Sequence, residues 1–242
     1  MINLKDIGYP NIKEIYLFDF VPGSGGDMFI TLASRCSGDF VNCWKDDSAM
    51  QERMEEFEET MKMPGNNISG KLFEFNTIRE YKQQILAGLY KIGGSDATKI
   101  SFCTHPTGNN VNTRISDVLA HCFPEIPITR VGLFTNSLIS KQFTLYSYYD
   151  RIDFDGYYND WMCSRIDRLQ DKTSRFIYWE DPENSFLIDH IDLFINDQIK
   201  FKQAVLEFAD MVNWNWYSTI IEIYTRVKVE PFLKWYSNKY GT

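Results

Sequence analysis

Glu14-Ile15-Tyr16-Leu17-Phe18-Asp19-Phe20, followed by Val21-Pro22-Gly23-Ser24-Gly25-Gly26-Asp27-Met28-Phe29, is the stretch that decides the fold. Its first seven residues are a short apolar, β-favouring run closed by a proline and glycines, the pattern of a buried strand. Beyond the glycines, Met28, Phe29, Leu32 and Ala33 recur at helical spacing. Residues 14–36 therefore read strand, glycine loop, helix. In that arrangement backbone N–H groups converge at the positive end of a helix dipole, and glycines let an anion approach the backbone with no Cβ in the way. A plainer reading is also open: Gly23 to Gly26 as a turn only, with Asp27 as helix N-cap.

The rest of the chain continues the alternation. Ser48 and Gln51 open a helix carrying Met50, Met54, Phe57 and Met61 on one face, a stripe that reads as core. Thr77 with Glu80 forms a capping box for a helix whose apolar stripe is Tyr81, Ile85, Leu89 and Ile92, stopped by Gly93-Gly94. Strands are expected at Thr98 to Thr104, Ile128 to Thr135 and Arg175 to Trp179. Helices are expected over 112–121, 137–149, 158–170 and Glu183 to Ile195. From 199 onward the pattern is helical up to Pro231, with a last piece at Phe232 to Tyr236. Strands alternating with helices imply an α/β fold, a three-layer parallel sheet with helices on both faces. The 242 residues suit one domain, with 199–242 as a helical C-terminal extension.

Two common phosphate-binding motifs are excluded. Counting from Gly23, both the Walker A pattern and the dinucleotide pattern Gly-x-Gly-x-x-Gly require a glycine where Met28 stands, and no lysine follows. The strand ending near Thr135 lacks the Asp that holds Mg²⁺ in a P-loop NTPase, which argues against a metal-dependent kinase. The net charge of -8, with lysines and arginines scattered singly, argues against duplex nucleic acid as a partner. Five cysteines without a CxxC pair suit free thiols in a reducing compartment, and three scattered histidines give no zinc-ligand cluster. With no apolar leader and no membrane-length apolar run, the expectation is a cytoplasmic protein without membrane insertion.

Several motifs together resemble the sulfotransferase family. In that family the loop after the first strand reads Pro-Lys/Arg-Ser-Gly-Thr-Thr before an aromatic and an aliphatic residue. Here Pro22-Gly23-Ser24-Gly25-Gly26-Asp27-Met28-Phe29 keeps the proline and the Ser-Gly pair, with Gly23 in the basic position and Gly26 and Asp27 in place of the threonines. Ile100-Ser101-Phe102-Cys103-Thr104-His105-Pro106 is similar to the family's strand ending in Thr-His, whose histidine is the general base. Val131-Gly132-Leu133-Phe134-Thr135-Asn136-Ser137 stands where the family has a strand ending in Arg-Asn/Asp-Pro, with Thr135 in the arginine position. Phe176-Ile177-Tyr178-Trp179-Glu180-Asp181 resembles a later, largely structural strand.

The resemblance implies a P-loop NTPase-like fold and sulfuryl transfer from 3′-phosphoadenosine 5′-phosphosulfate to a hydroxyl or amine, on a small molecule or a glycan, with no metal. It implies that Gly23, Ser24, Gly25, Gly26, Asp27 and Met28, with Asn136 and Ser140, bind the donor. It makes His105 the proton acceptor, a role an imidazole at a strand's C-terminal end can fill near neutral pH. As a packing residue His105 would need no ligand at all. Two other functions stand beside this one: a divergent nucleotide or nucleoside kinase, and a non-catalytic binding protein of the same fold. On the first reading Gly25→Val is expected to abolish anion binding and leave the fold intact.

Overall fold

A computed structural model describes residues 1–20, 23–42, 47–60, 63, 77–104, 115–133, 135, 137–148 and 185–241. The first strand, β1 (Glu14–Phe20), occupies the span its sequence dictates. It pairs in parallel with β2 (Lys99–Thr104) on one side and β3 (Ile128–Leu133) on the other, and β3 pairs in parallel with β4 (Ser185–Ile188). The order across the four-stranded sheet is β2-β1-β3-β4. The fold is mixed α/β, with parallel strands joined by helical connections: α1 (Gly26–Arg35), α2 (Asp47–Thr60) and α3 (Ile78–Ile92) before β2, α4 (Ile115–Cys122) before β3, and α5 (Leu138–Tyr148) after it.

β1 is apolar almost throughout because both of its faces are covered. Tyr16, Phe18 and Phe20 join one core cluster with Phe29, Phe201 and Phe208. Ile15 and Leu17 join a second with Ile85, Leu89, Val118 and Leu119 from α3 and α4. Each fully buried Phe or Leu contributes about 1.5–3 kcal/mol, so a polar residue in this strand is costly, and Asp19 is the exception. Thr77 caps α3 through the expected capping box with Glu80, and Gly93 closes it at φ 83°. Cys36, Cys103 and Cys122 are buried free thiols.

The C-terminal part departs from the expected pattern in three places. Residues expected to be helical from Glu183 instead form β4, and helix begins only with α6 (His190–Asn196). The divide is Asp189, whose carboxylate accepts from the Asp192 N–H and caps α6. The long helix expected from 199 is broken at 207–213, between α7 (Gln198–Leu206) and α8 (Trp214–Tyr224). In that break Val212 and Asn213 both donate to the Cys36 carbonyl at 2.9 Å. Pro231 does not end a helix but stands second in α9 (Glu230–Tyr240), after a single π turn at Thr225–Val229. The chain enters it through that turn without leaving helical geometry, Val229 and Glu230 both being right-handed helical in φ and ψ. Phe201, Ile220, Tyr224 and Phe232 from these helices share the core of Phe18 and Phe20. The strand expected at 175–179 and the helix expected at 158–170 lie outside the described residues.

Candidate functional site

In a parallel sheet ordered β2-β1-β3-β4, the connections leaving β1 and β3 diverge, which opens a crevice at the carboxyl ends of these strands, where α/β proteins place ligands. The segments arriving there are the glycine loop after β1, Ser137 after β3 and Asp189 after β4. His105 and Asn136, which follow the β2 and β3 segments in sequence, lie outside the described residues.

The loop has a specific backbone. Gly23 has φ 84°. Gly25 is left-handed at φ 78° and ψ 15° and serves as the N-cap of α1, so the first helical residue is Gly26. Asp27 is therefore in the first turn of the helix and is not its N-cap, which corrects the plainer reading. A left-handed residue followed by a helical one turns successive N–H groups to one side, making an anion-binding concavity at a helix N-terminus.

The glycines are also required by the protein's own packing. A Cβ on Gly25 would stand 2.5 Å from Tyr224 Oη and 2.8 Å from Ile191 Cδ1, and one on Gly26 would stand 2.2 Å from the Phe20 ring. The expectation that Gly25→Val spares the fold is thus overturned: the space beside Gly25 holds Tyr224 and Ile191. Met28 is fully buried in the core, and its N–H donates to the Gly25 carbonyl at 3.1 Å, which leaves neither group for a ligand. Ser24 is fully buried, and its hydroxyl has no hydrogen-bond partner.

Ser140 also lies at this edge, but its hydroxyl is engaged. Ser140 Oγ lies 3.0 Å from Asp189 Oδ2 and 3.0 Å from Ser137 Oγ. The Ser137 N–H donates to the same Asp189 Oδ2 at 2.8 Å, and Ser137 Oγ accepts from the Ser140 N–H at 3.2 Å. This knot binds the exit of β3 to the exit of β4. A cavity of about 390 Å³ opens on the other side of Asp189, lined also by Asp192, Lys200, Gln203 and Glu207. Three carboxylates against one lysine make it a poor seat for an anion.

Two groups at this edge were not placed beside the glycine loop by sequence. His190, the first residue of α6, is fully buried and stands edge-on to Phe29 with ring centroids 5.9 Å apart. The carbonyls of Gly25, Ser24 and Ile188 face its ring, yet neither nitrogen completes a hydrogen bond. Burial pushes its pKa down to about 4, against the opposing pull of Asp189. Tyr224, from the far end of the chain, lies over Gly25, and burial together with the charge of Asp27 pushes its phenol pKa up. The one sequence signal for His190 is its place after Asp189, a capping residue at the end of an apolar run. Tyr224 carries no local signal.

Among the described residues, no group of three His, Cys, Asp or Glu side chains is placed to hold a metal ion, and no helix is long and apolar enough to cross a membrane. Compared with known proteins, the chain matches no family model and no curated sequence.

Proposed function

We propose that the chain is a sulfotransferase-like protein of P-loop NTPase-like, three-layer architecture, whose glycine loop receives the sulfated phosphate end of 3′-phosphoadenosine 5′-phosphosulfate. The observation that carries this reading is the left-handed Gly25 at the head of α1, in the connection that leaves β1, an inner strand of the parallel sheet. The N–H groups there suit a tetrahedral oxyanion. A transferring sulfuryl group carries less negative charge than a phosphoryl group, so oriented N–H donors can meet more of its needs without a divalent ion.

In the reaction an acceptor oxygen or nitrogen forms a bond to sulfur while the bond from sulfur to the bridging oxygen breaks. Adenosine 3′,5′-bisphosphate leaves, and the acceptor's proton passes to a base, His105 on the resemblance. On this reading the backbone from Gly23 to Asp27 lines the donor side, and the resemblance assigns Asn136 to the donor as well. Ser140 contributes by fixing that exit through Asp189.

The expected result is that adenosine 3′,5′-bisphosphate stabilises the native protein. At a hundredfold excess over its Kd, linkage gives about 2.7 kcal/mol, and the same concentration of ATP with Mg²⁺ gives much less. Thermal or denaturant unfolding with each ligand checks this. Greater stabilisation by Mg·ATP would replace sulfuryl transfer with the kinase reading, and no stabilisation by either would leave a non-catalytic protein.

A further inference from the structure

We propose that His190 is a positioning residue for the glycine loop: when the loop is loaded its ring N–H takes the Ser24 carbonyl, and so aims the Gly25 N–H, beside that of Gly26, at a bound tetrahedral oxyanion. The inference deepens the reading above and rests on it for the identity of the full ligand.

The argument begins with the peptide unit. In a trans peptide the C=O of one residue and the N–H of the next point in opposite directions. The Ser24 carbonyl is paired in this way with the Gly25 N–H, and the Gly25 carbonyl with the Gly26 N–H. Carbonyls drawn inward toward His190 therefore turn both N–H groups outward, to the mouth of the loop. The Gly25 carbonyl is already drawn inward by the N–H groups of Met28 and Phe29, at 3.1 and 3.3 Å.

His190 stands where this control is exerted. It is fully buried, with the Ser24 and Gly25 carbonyls facing its ring. Its neighbour Ile191 approaches the same glycine, 2.8 Å from where a Cβ on Gly25 would be. Its backbone is held by Asp189, which Ser137 and Ser140 tie to the exit of β3. A neutral imidazole has one N–H to donate, and burying both nitrogens without a bond is costly. Ser24 Oγ, also buried and unpartnered, adds a second unsatisfied group under the loop. An anion seated on the outward N–H groups pulls the peptide units into the orientation in which a carbonyl completes the bond to His190, so loading the loop also satisfies the histidine.

The chain has only three histidines, so ring ¹⁵N spectra of the labelled protein are simple, and the His190 resonances are assigned by their loss in His190→Phe. Saturation with inorganic sulfate, or with adenosine 3′,5′-bisphosphate, is expected to move them in the direction of a hydrogen-bonded imidazole. His190→Phe keeps the ring against Phe29 but removes the donor, and should weaken both probes about 2- to 10-fold, the worth of one hydrogen bond. His190→Gln restores an N–H donor and should recover part of that loss. His190 resonances that stay still at saturation, or His190→Phe binding as tightly as the wild type, overturn the proposal. If His190→Phe does not fold, His105→Gln and His121→Gln assign the other two histidines, and the shifts of the third in the wild type decide. Sulfate moving His190 while the bisphosphate binds no better than sulfate keeps the positioning role and overturns the nucleotide reading. Binding of neither probe overturns both.

Discussion

Gly25→Val is expected to destabilise the protein by about 2–5 kcal/mol, enough at the upper end to leave it unfolded. Two costs combine. A β-branched residue at φ 78° adopts a backbone region it almost never occupies, and the left-handed conformation alone costs about 1–2 kcal/mol. Its Cβ would then stand 2.5 Å from Tyr224 Oη and 2.8 Å from Ile191 Cδ1. Tyr224 is itself packed around by Phe57, Phe143 and Phe194, so it has little room to move. Overpacking of this kind costs about 1–3 kcal/mol. A denaturant midpoint for the variant checks the total. The two costs separate in a cycle: Tyr224→Phe removes the hydroxyl, so Gly25→Ala should be better tolerated in that background by about 0.5 kcal/mol or more. A variant with the wild-type midpoint would show that the loop does not rest on Tyr224.

That result bears on how the loop was read. Strand β1, the glycine loop and α1 were legible because they are local: an apolar run, a break, then helical spacing. The Thr77–Glu80 box and its Gly93 stop were legible for the same reason. β4 was not, because Phe186, Leu187, Ile191 and Phe194 also fit a helical stripe, and period alone cannot separate a short buried strand from a helix. Asp189 is what divides them, and a capping residue inside an apolar pattern is easily read as part of the polar face. The break at 207–213 is held by the Cys36 carbonyl, which lies far away in sequence. The candidate site divides along the same line. Gly23 to Asp27 could be found from the chain's own pattern. The groups that explain why Gly25 and Gly26 are glycines, Tyr224 and Phe20, could not, since nothing in sequence says which side chain will arrive over which Cα. His190 was hidden for a related reason, because its role comes from the carbonyls that the fold brings to its ring.

Asp19 gives the other large expected effect. It sits on the core strand between Thr104 of β2 and Gly132 of β3. Part of the residue is accessible, but its Oδ1 is sealed off and has no hydrogen-bond partner. Burial pushes its pKa from 3.8 up to about 7, and the positive charge of Arg130 offsets only part of this. In the unfolded chain the carboxyl ionises near pH 4, whereas in the native protein it holds its proton until about pH 7. Between those values the native state binds the extra proton, so stability falls as pH rises through this window and the deficit is complete above it. The shift corresponds to about 4 kcal/mol, which solvent reaching the residue reduces to about 3 kcal/mol. Asp19→Asn keeps the shape and removes the ionisation. Any packing cost of the amide is the same at every pH, so the informative quantity is how the difference between variant and wild type changes. Denaturant unfolding at pH 4, 6 and 8 should show the variant gaining on the wild type by about 3 kcal/mol from the lowest pH to the highest. A difference that stays flat across that range would mean that the carboxyl titrates as an exposed one does, and that water reaches Oδ1 between the strand ends.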